Sequence, residues 1–286
     1  MKLNLFKSGT VLILSVILGL TGCKKDDDNE GGDYPDAVNN SVNLVKTEKF
    51  GAILTAKDGK TLYFFSFDPD STSNCNGQCA IAWPAFYDAK LTVDKGLNIA
   101  AFGTITRADG SKQNTYKGWP LYTFFKDVKA GEINGDGAEK IWFVAKPDYS
   151  VMLVNKQLTG ADGIEYTSNY EPGKEVVQYI TDDRGKTLYH SIKDKALTNN
   201  FTKPDLSNNS IWPMYEVEAV KNVPSILNKA AFATIVFAGK TQLTYKGFPL
   251  YKFGADADKR GNNKGVSAGP GAFPVNTIET VAAPAP

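Results

Sequence analysis

Apolar and polar positions along this chain alternate in short runs broken by Asp-Gly and Lys-Gly pairs, the period of β-strands and not of helices. Ala52-Ile53-Leu54-Thr55-Ala56 runs into Lys57-Asp58-Gly59-Lys60 and then Thr61-Leu62-Tyr63-Phe64-Phe65, which predicts strand, tight turn, strand. Along the second strand Tyr63, Phe65 and Phe67 fall on one face, with Leu62 and Phe64 on the other. Val177-Gln178-Tyr179-Ile180-Thr181, Asp182-Asp183-Arg184-Gly185 and Thr187-Leu188-Tyr189 repeat that hairpin downstream. Thr104-Ile105-Thr106, Ala108-Asp109-Gly110 and Thr115-Tyr116 predict another. Its counterpart reads Thr234-Ile235-Val236-Phe237, Ala238-Gly239-Lys240, Leu243-Thr244-Tyr245. Helical signals are confined to short pieces at 97–101 and 225–231.

These hairpins carry one phrase written four times. Gly59-Lys60-Thr61-Leu62-Tyr63 leads to Asp68, and Gly185-Lys186-Thr187-Leu188-Tyr189 leads to Asp194. Thr115-Tyr116-Lys117-Gly118-Trp119-Pro120-Leu121-Tyr122 leads to Asp127, and Thr244-Tyr245-Lys246-Gly247-Phe248-Pro249-Leu250-Tyr251 to Asp256. The order A-B-A-B at near-constant spacing means one structural unit used twice. The expected fold is therefore mainly β: two tandem homologous antiparallel β units, each of two hairpin-containing sub-repeats, with a few short helical turns. The first unit is placed at 42–157 and the second at 165–278, joined by a turn-rich connector. The tail at 279–286 has nothing evident to hold it and is expected to be disordered.

Ahead of the repeats stands an address. Lys2 and Lys7 precede the apolar run Val11-Leu12-Ile13-Leu14-Ser15-Val16-Ile17-Leu18, too short to span a bilayer. Leu20-Thr21-Gly22-Cys23 matches a lipobox, so residues 1–22 are expected to be a lipoprotein signal peptide and Cys23 the lipidated (palmitate-bearing) residue. Residues 23–41 are expected to form a flexible acidic tether. Its opening, Lys24-Lys25-Asp26-Asp27-Asp28, resembles the lipoprotein export signal of Bacteroidetes, which implies the bacterial outer membrane with the protein facing the cell exterior. The partner so expected is the membrane, through the lipid at Cys23.

With Lys+Arg 32 against Asp+Glu 31, the chain has no charge excess for a nucleic-acid partner. Its single histidine, His190, excludes multi-His metal sites and most His-based nucleophilic machinery. His190 follows Tyr189 where the other copies have Phe64, Thr123 and Lys252, a variability that predicts an exposed or edge position. Cys75-Asn76-Gly77-Gln78-Cys79 is expected to close a local disulfide in an oxidising compartment. The repeated residues, Tyr63, Phe65, Asp68, Tyr122, Phe124, Asp127, Tyr189, Asp194, Tyr251, Phe253 and Asp256, are read as framework: tyrosines with buried rings, and aspartates accepting backbone N–H bonds at strand ends. A catalytic constellation needs unlike groups in one asymmetric arrangement, and repetition argues against that.

Tyr63-x-Phe65-x-x-Asp68 and Tyr122-x-Phe124-x-x-Asp127, with Cys75-x-Gly77-x-Cys79-Ala80, Trp83-Pro84 and Trp142-Phe143-Val144-Ala145, resemble secreted-repeat lipoproteins with a Yx(FWY)xxD motif. The second unit departs from that pattern: Ser191 stands at the aromatic position, the Cys pair is absent, and 254–271 lacks a Trp. The resemblance implies an envelope lipoprotein and no particular activity. The functional expectation is a surface-anchored, non-enzymatic binding or scaffolding module for a glycan or protein ligand, with no cofactor and no metal. Two alternatives stand beside it: a redox or electron-transfer accessory using Cys75 and Cys79, and a hydrolase working through paired carboxylates.

Overall fold

The computed structural model describes residues 40–286, which lie within one compact unit. The signal peptide at 1–22, the lipidated Cys23 and nearly all of the tether at 23–41 lie outside the described residues. The described part is mainly β, as the alternation predicts. Its strands are β1 (Val42–Thr47), β2 (Gly51–Ala56), β3 (Tyr63–Phe65), β4 (Phe102–Thr106), β5 (Lys112–Tyr116), β6 (Trp119–Pro120) and β7 (Trp142–Val144). They continue with β8 (Met152–Thr159), β9 (Glu165–Tyr166), β10 (Val176–Thr181), β11 (Phe232–Phe237), β12 (Lys240–Tyr245) and β13 (Phe248–Pro249). One short helix, Gln78–Ala82, and several 3-10 turns complete the structure.

The strands form small antiparallel sheets: β1-β2, β3-β7, β4-β5-β6, β10-β8-β9 and β11-β12-β13. The sister phrase explains two of them residue by residue. Lys117 and Gly118 have φ of 49° and 81°, and Lys246 and Gly247 have 48° and 90°. Two consecutive positive φ values are what a two-residue type I′ hairpin turn requires, and Lys-Gly supplies them between Tyr116 and its partner Trp119. Residues 97–101 and 225–231 each end in a 3-10 turn, capped by Asn98 and Asn228, whose side chains accept from the Ala100 and Ala230 N–H groups.

The hairpin predicted across Gly59 is made only beside its turn. Thr55 and Thr61 form a bridge and Leu62 N–H donates to Leu54 O, but β3 then pairs with β7 in the register Tyr63–Val144, Phe64–Phe143, Phe65–Trp142. Ala145 takes both the Leu54 N–H and the Leu62 carbonyl, wedging between the two arms. The side-chain faces fall as the sequence predicts. Leu62 and Phe64 join the main core, while Tyr63, Phe65 and Phe67 join a second cluster with Trp83, Tyr122, Phe124 and Trp142.

The main core runs continuously from Val42 and Leu54 in the first unit to Leu243 and Val275 in the second. β8 joins them: it follows the first unit and pairs with β10 of the second, Met152 opposite Thr181 through Gln157 opposite Val176. The turn-rich stretch between them holds the β8-β9 hairpin. Further along the junction the Tyr215 hydroxyl donates to Ser150 O at 2.7 Å, and Asn222 to Asp148 at 2.7 Å.

One terminal expectation is corrected. The tail at 279–286 is held: Ala283 N–H donates to Lys246 O, Ala196 N–H donates to Pro284 O, and the Lys246 ammonium donates to the carbonyls of Ile278 and Thr280. A lysine in a type I′ turn reaching back to backbone carbonyls is not a signal that hydropathy carries.

Candidate functional site

The four Tyr–Asp phrases come together in two buried crossings, one per unit. In the first, Tyr63 and Tyr122 lie side by side and exchange both backbone hydrogen bonds, at 2.8 and 3.1 Å. Each hydroxyl then reaches the aspartate of the other phrase. Tyr63 donates to Asp127 Oδ2 and Tyr122 to Asp68 Oδ2, both at 2.6 Å. The second unit repeats the arrangement, with Tyr189 donating to Asp256 and Tyr251 to Asp194, both at 2.8 Å. Sub-repeats A and B of each unit are thus related by a pseudo-twofold axis through the Tyr–Tyr bridge.

The other carboxylate oxygen of each aspartate closes its own loop. Asp68 Oδ1 accepts from Asn74 N–H and Asp127 Oδ1 from Asn134 N–H. Asp194 Oδ1 accepts from Asn200 and Phe201, and Asp256 Oδ1 from Lys264. All four aspartates are buried. Burial pushes Asp68 up to about 7 and Asp256 up to about 6, overriding the lowering effect of their tyrosine and backbone donors. Asp127 and Asp194 are raised for the same reason, and all four tyrosines are held far above their usual range by burial and by the carboxylate each contacts.

Aromatic side chains pack like with like across the axis. Trp83 and Trp142 stack at 3.8 Å, and Phe65 and Phe124 lie on their outer faces at 4.1 Å each. In the second unit Phe273 takes the Trp142 position against Trp212 at 3.8 Å, with Phe253 at 4.4 Å. Ser191 leaves the remaining position to Phe201, edge-on to Phe273. Trp83, Trp119 and Trp142 are all buried, so none is a surface platform for a sugar or peptide. Gly135 and Gly265 lie against this stack; a Cβ would come within 2.7 Å of Trp83 at the first and 2.8 Å of Tyr189 at the second.

Cys75 and Cys79 form the disulfide. Beside it a buried chain runs from Arg107 to Ser73 and Gln113 (2.6 Å), then from Ser73 to the Tyr122 hydroxyl at 2.7 Å. Arg107 also donates to Cys75 O at 2.7 Å. The second unit builds this corner from Asn199, Thr202 and Gln242 instead. Gln113 and Gln242 stand three residues before Tyr116 and Tyr245, the first tyrosines of the two sister phrases, a recurrence readable in the sequence. Asn74, Asn134 and Asn200, whose side chains donate to Phe67, Lys126 and Lys193 carbonyls, carried a weaker signal because their spacing from Asp varies.

His190 is a correction. It is buried, stacked on Phe248 at 4.1 Å, and its Nδ1 lies 2.9 Å from Asn276 Oδ1. Burial pulls its pKa down to about 4, so it is a neutral core residue at pH 7. Among the four copies the position is buried at Phe64 and His190 and partly exposed at Thr123 and Lys252, so variability at this position does not by itself mark exposure.

A general acid needs a raised carboxyl open to substrate. Asp256 borders a hollow of about 250 Å³ together with Asp258, which is itself paired with Lys186. Both Asp256 oxygens are occupied. Among the described residues no group of His, Cys, Asp and Glu has metal-binding geometry, and no helix is long and apolar enough to cross a membrane.

Comparison with known families matches two segments, 44–86 and 103–146, to a secreted repeat of unknown function. The two matches are sub-repeats A and B of the first unit, each ending in its half of the Trp83–Trp142 stack. No curated protein and no solved structure matches the chain.

Proposed function

We propose that this chain, whose residues 44–86 and 103–146 match a secreted repeat of unknown function, is a non-enzymatic binding or scaffolding module of the bacterial envelope. In this reading it is tethered to the outer membrane through lipid on Cys23, faces the cell exterior, and presents its surface to a glycan or protein. The observation that carries the reading is that every carboxylate oxygen of Asp68, Asp127, Asp194 and Asp256 already holds a hydrogen bond from the fold. Groups so buried and committed are not presented to a substrate, and breaking one of those bonds to release a carboxylate costs about 1–3 kcal/mol.

Two measurements test it. Palmitate-analogue labelling of the full chain should tag wild type and not Cys23→Ser, with wild type cleaved by protease added to intact cells. Panels of polysaccharide and peptide substrates should show no turnover. Hydrolysis abolished by Asp68→Asn or Asp127→Asn in a variant that still folds would overturn the reading.

A further inference from the structure

A basic groove opens where the hairpin turn of the second unit meets the Lys-Gly turn of the first. Its volume is about 330 Å³, and its titratable lining residues are Lys117, Arg184, Lys186 and Arg260, with no carboxylate among the lining residues. Arg260 draws the two turns together. Its Nη1 donates to Lys117 O at 2.8 Å and to Arg184 O, and its guanidinium lies over Trp119 at 4.6 Å. The Trp119 indole N–H in turn donates to Asp183 O at 2.9 Å.

Charge at this point is incompletely matched. Lys117 pairs with Asp183 at 2.6 Å, Lys186 with Asp258, and Asp182 with Lys252 at 2.8 Å, all by carboxylates that stand outside the lining. Arg184 and Arg260 have no ion-pair partner among the described residues. Two of the Arg260 nitrogens, Nε and Nη2, are buried without an acceptor. A buried guanidinium with unmet donors carries a desolvation cost that nearby negative charge relieves. Burial lowers Arg260 to about 10, against the raising effect of the Asp182, Asp70, Asp68 and Asp183 carboxylates, none of which pairs with it directly.

The repeat supplies an internal control. Gly131 N–H donates to Gly59 O in the first unit, and Gly261 N–H donates to Gly185 O in the second, which fixes the correspondence. Arg260 stands where the first unit has Ala130, and Arg184 where it has Asp58. The framework closes without either arginine. Both departures fall on one groove.

We propose that this groove is an anion site for a phosphoryl group, with Arg184, Lys186 and Lys117 as donors and Arg260 as the buried positive charge behind them. A phosphate dianion offers several acceptors to several cations, where one carboxylate would engage only a part of them. Arg184 is exposed and free to close over the ligand. The proposal rests on the reading of the chain as a binding module and names a ligand class for it. Its failure leaves that reading standing, because the reading falls on hydrolysis through the motif aspartates.

The test is calorimetric titration of the purified full chain with inorganic phosphate at constant ionic strength, with chloride as the control. Saturable binding is expected to phosphate alone. The double variant Arg184→Gln/Lys186→Gln should weaken it at least about tenfold, the effect of one charge-assisted bond. Lys60→Gln, the equivalent lysine of the first unit, should leave it unchanged, and the melting temperature of each variant controls for folding. Two further probes identify the source. Competition by glycerol 3-phosphate without recruitment to vesicles points to a dissolved phosphoester. Recruitment to phosphatidylcholine vesicles containing phosphatidic acid, lost in the double variant, points to a lipid headgroup. Phosphate heats no different from chloride, or equal weakening by Lys60→Gln, would overturn the proposal.

Discussion

The Tyr63 hydroxyl donates at 2.6 Å to Asp127, the aspartate of the opposite sub-repeat, and not to Asp68 five residues on in its own phrase. Asp68 is instead held by Tyr122. Each phrase is therefore incomplete alone: its tyrosine and its aspartate are two halves of different bonds, and only the A-B pair satisfies both. A buried carboxylate left without its donor would bear a desolvation penalty, so the crossing ties the sub-repeats together.

The buried titrating groups oppose one another with pH. Asp68, raised to about 7, favours the fold fully below the usual carboxylate range, and that contribution is lost as pH rises toward 7. His190, lowered from 6.5 to about 4, favours the fold fully above 6.5, and its contribution is lost as pH falls toward 4. That histidine is worth about 3 kcal/mol across the window. The unfolding free energy of His190→Gln should accordingly rise relative to wild type, each normalised to pH 7, as pH drops from 7 to 4.5. Parallel curves would show that folding does not depress the His190 pKa, contrary to its burial.

Gly135 and Gly265 are predicted to be intolerant of alanine. With Trp83 2.7 Å from a Cβ at Gly135, the rigid stack has to open, at a cost of about 1–3 kcal/mol. Chemical denaturation should detect the loss in Gly135→Ala, and its near-UV circular dichroism should report displaced tryptophans. Gly163, with nothing within 4 Å but φ of +77°, should cost less and leave the tryptophan signal intact.

Removing the disulfide should weaken the fold without dissolving the crossing. Cys75→Ser/Cys79→Ser opens a loop of very small span, so the loss should sit near the low end of the usual range, about 2 kcal/mol. The second unit makes the same corner without cysteines, which is why the framework is expected to persist. A double variant that no longer folds would show the bridge to be indispensable.

Much of this was legible in the sequence, for reasons that differ by residue. The alternating faces of Leu62 to Phe67, the type I′ turn at Lys117-Gly118 and the repeat order are local properties, and local pattern carries them. The crossing of Tyr63 to Asp127 was not legible. Four identical Tyr–Asp spacings suit within-phrase and cross-phrase bonds equally well, and only the long-range bridge between Tyr63 and Tyr122 decides between them. The departure of β3 toward β7 was hidden likewise, because the Asp-Gly turn predicts a hairpin and nothing local shows Ala145 entering between its arms. The burial of His190 was hidden as well, because variation among internal copies is compatible with a buried site whose packing partners, Phe248 and Asn276, come from distant segments.

The crossed bonds are tested most directly by double-mutant cycles on unfolding free energy. Tyr63→Phe combined with Asp127→Asn should show a coupling of about 1 kcal/mol or more, and Tyr63→Phe combined with Asp68→Asn should be additive to within about 0.5 kcal/mol. Coupling of Tyr63 to Asp68 with additivity toward Asp127 would contradict the account.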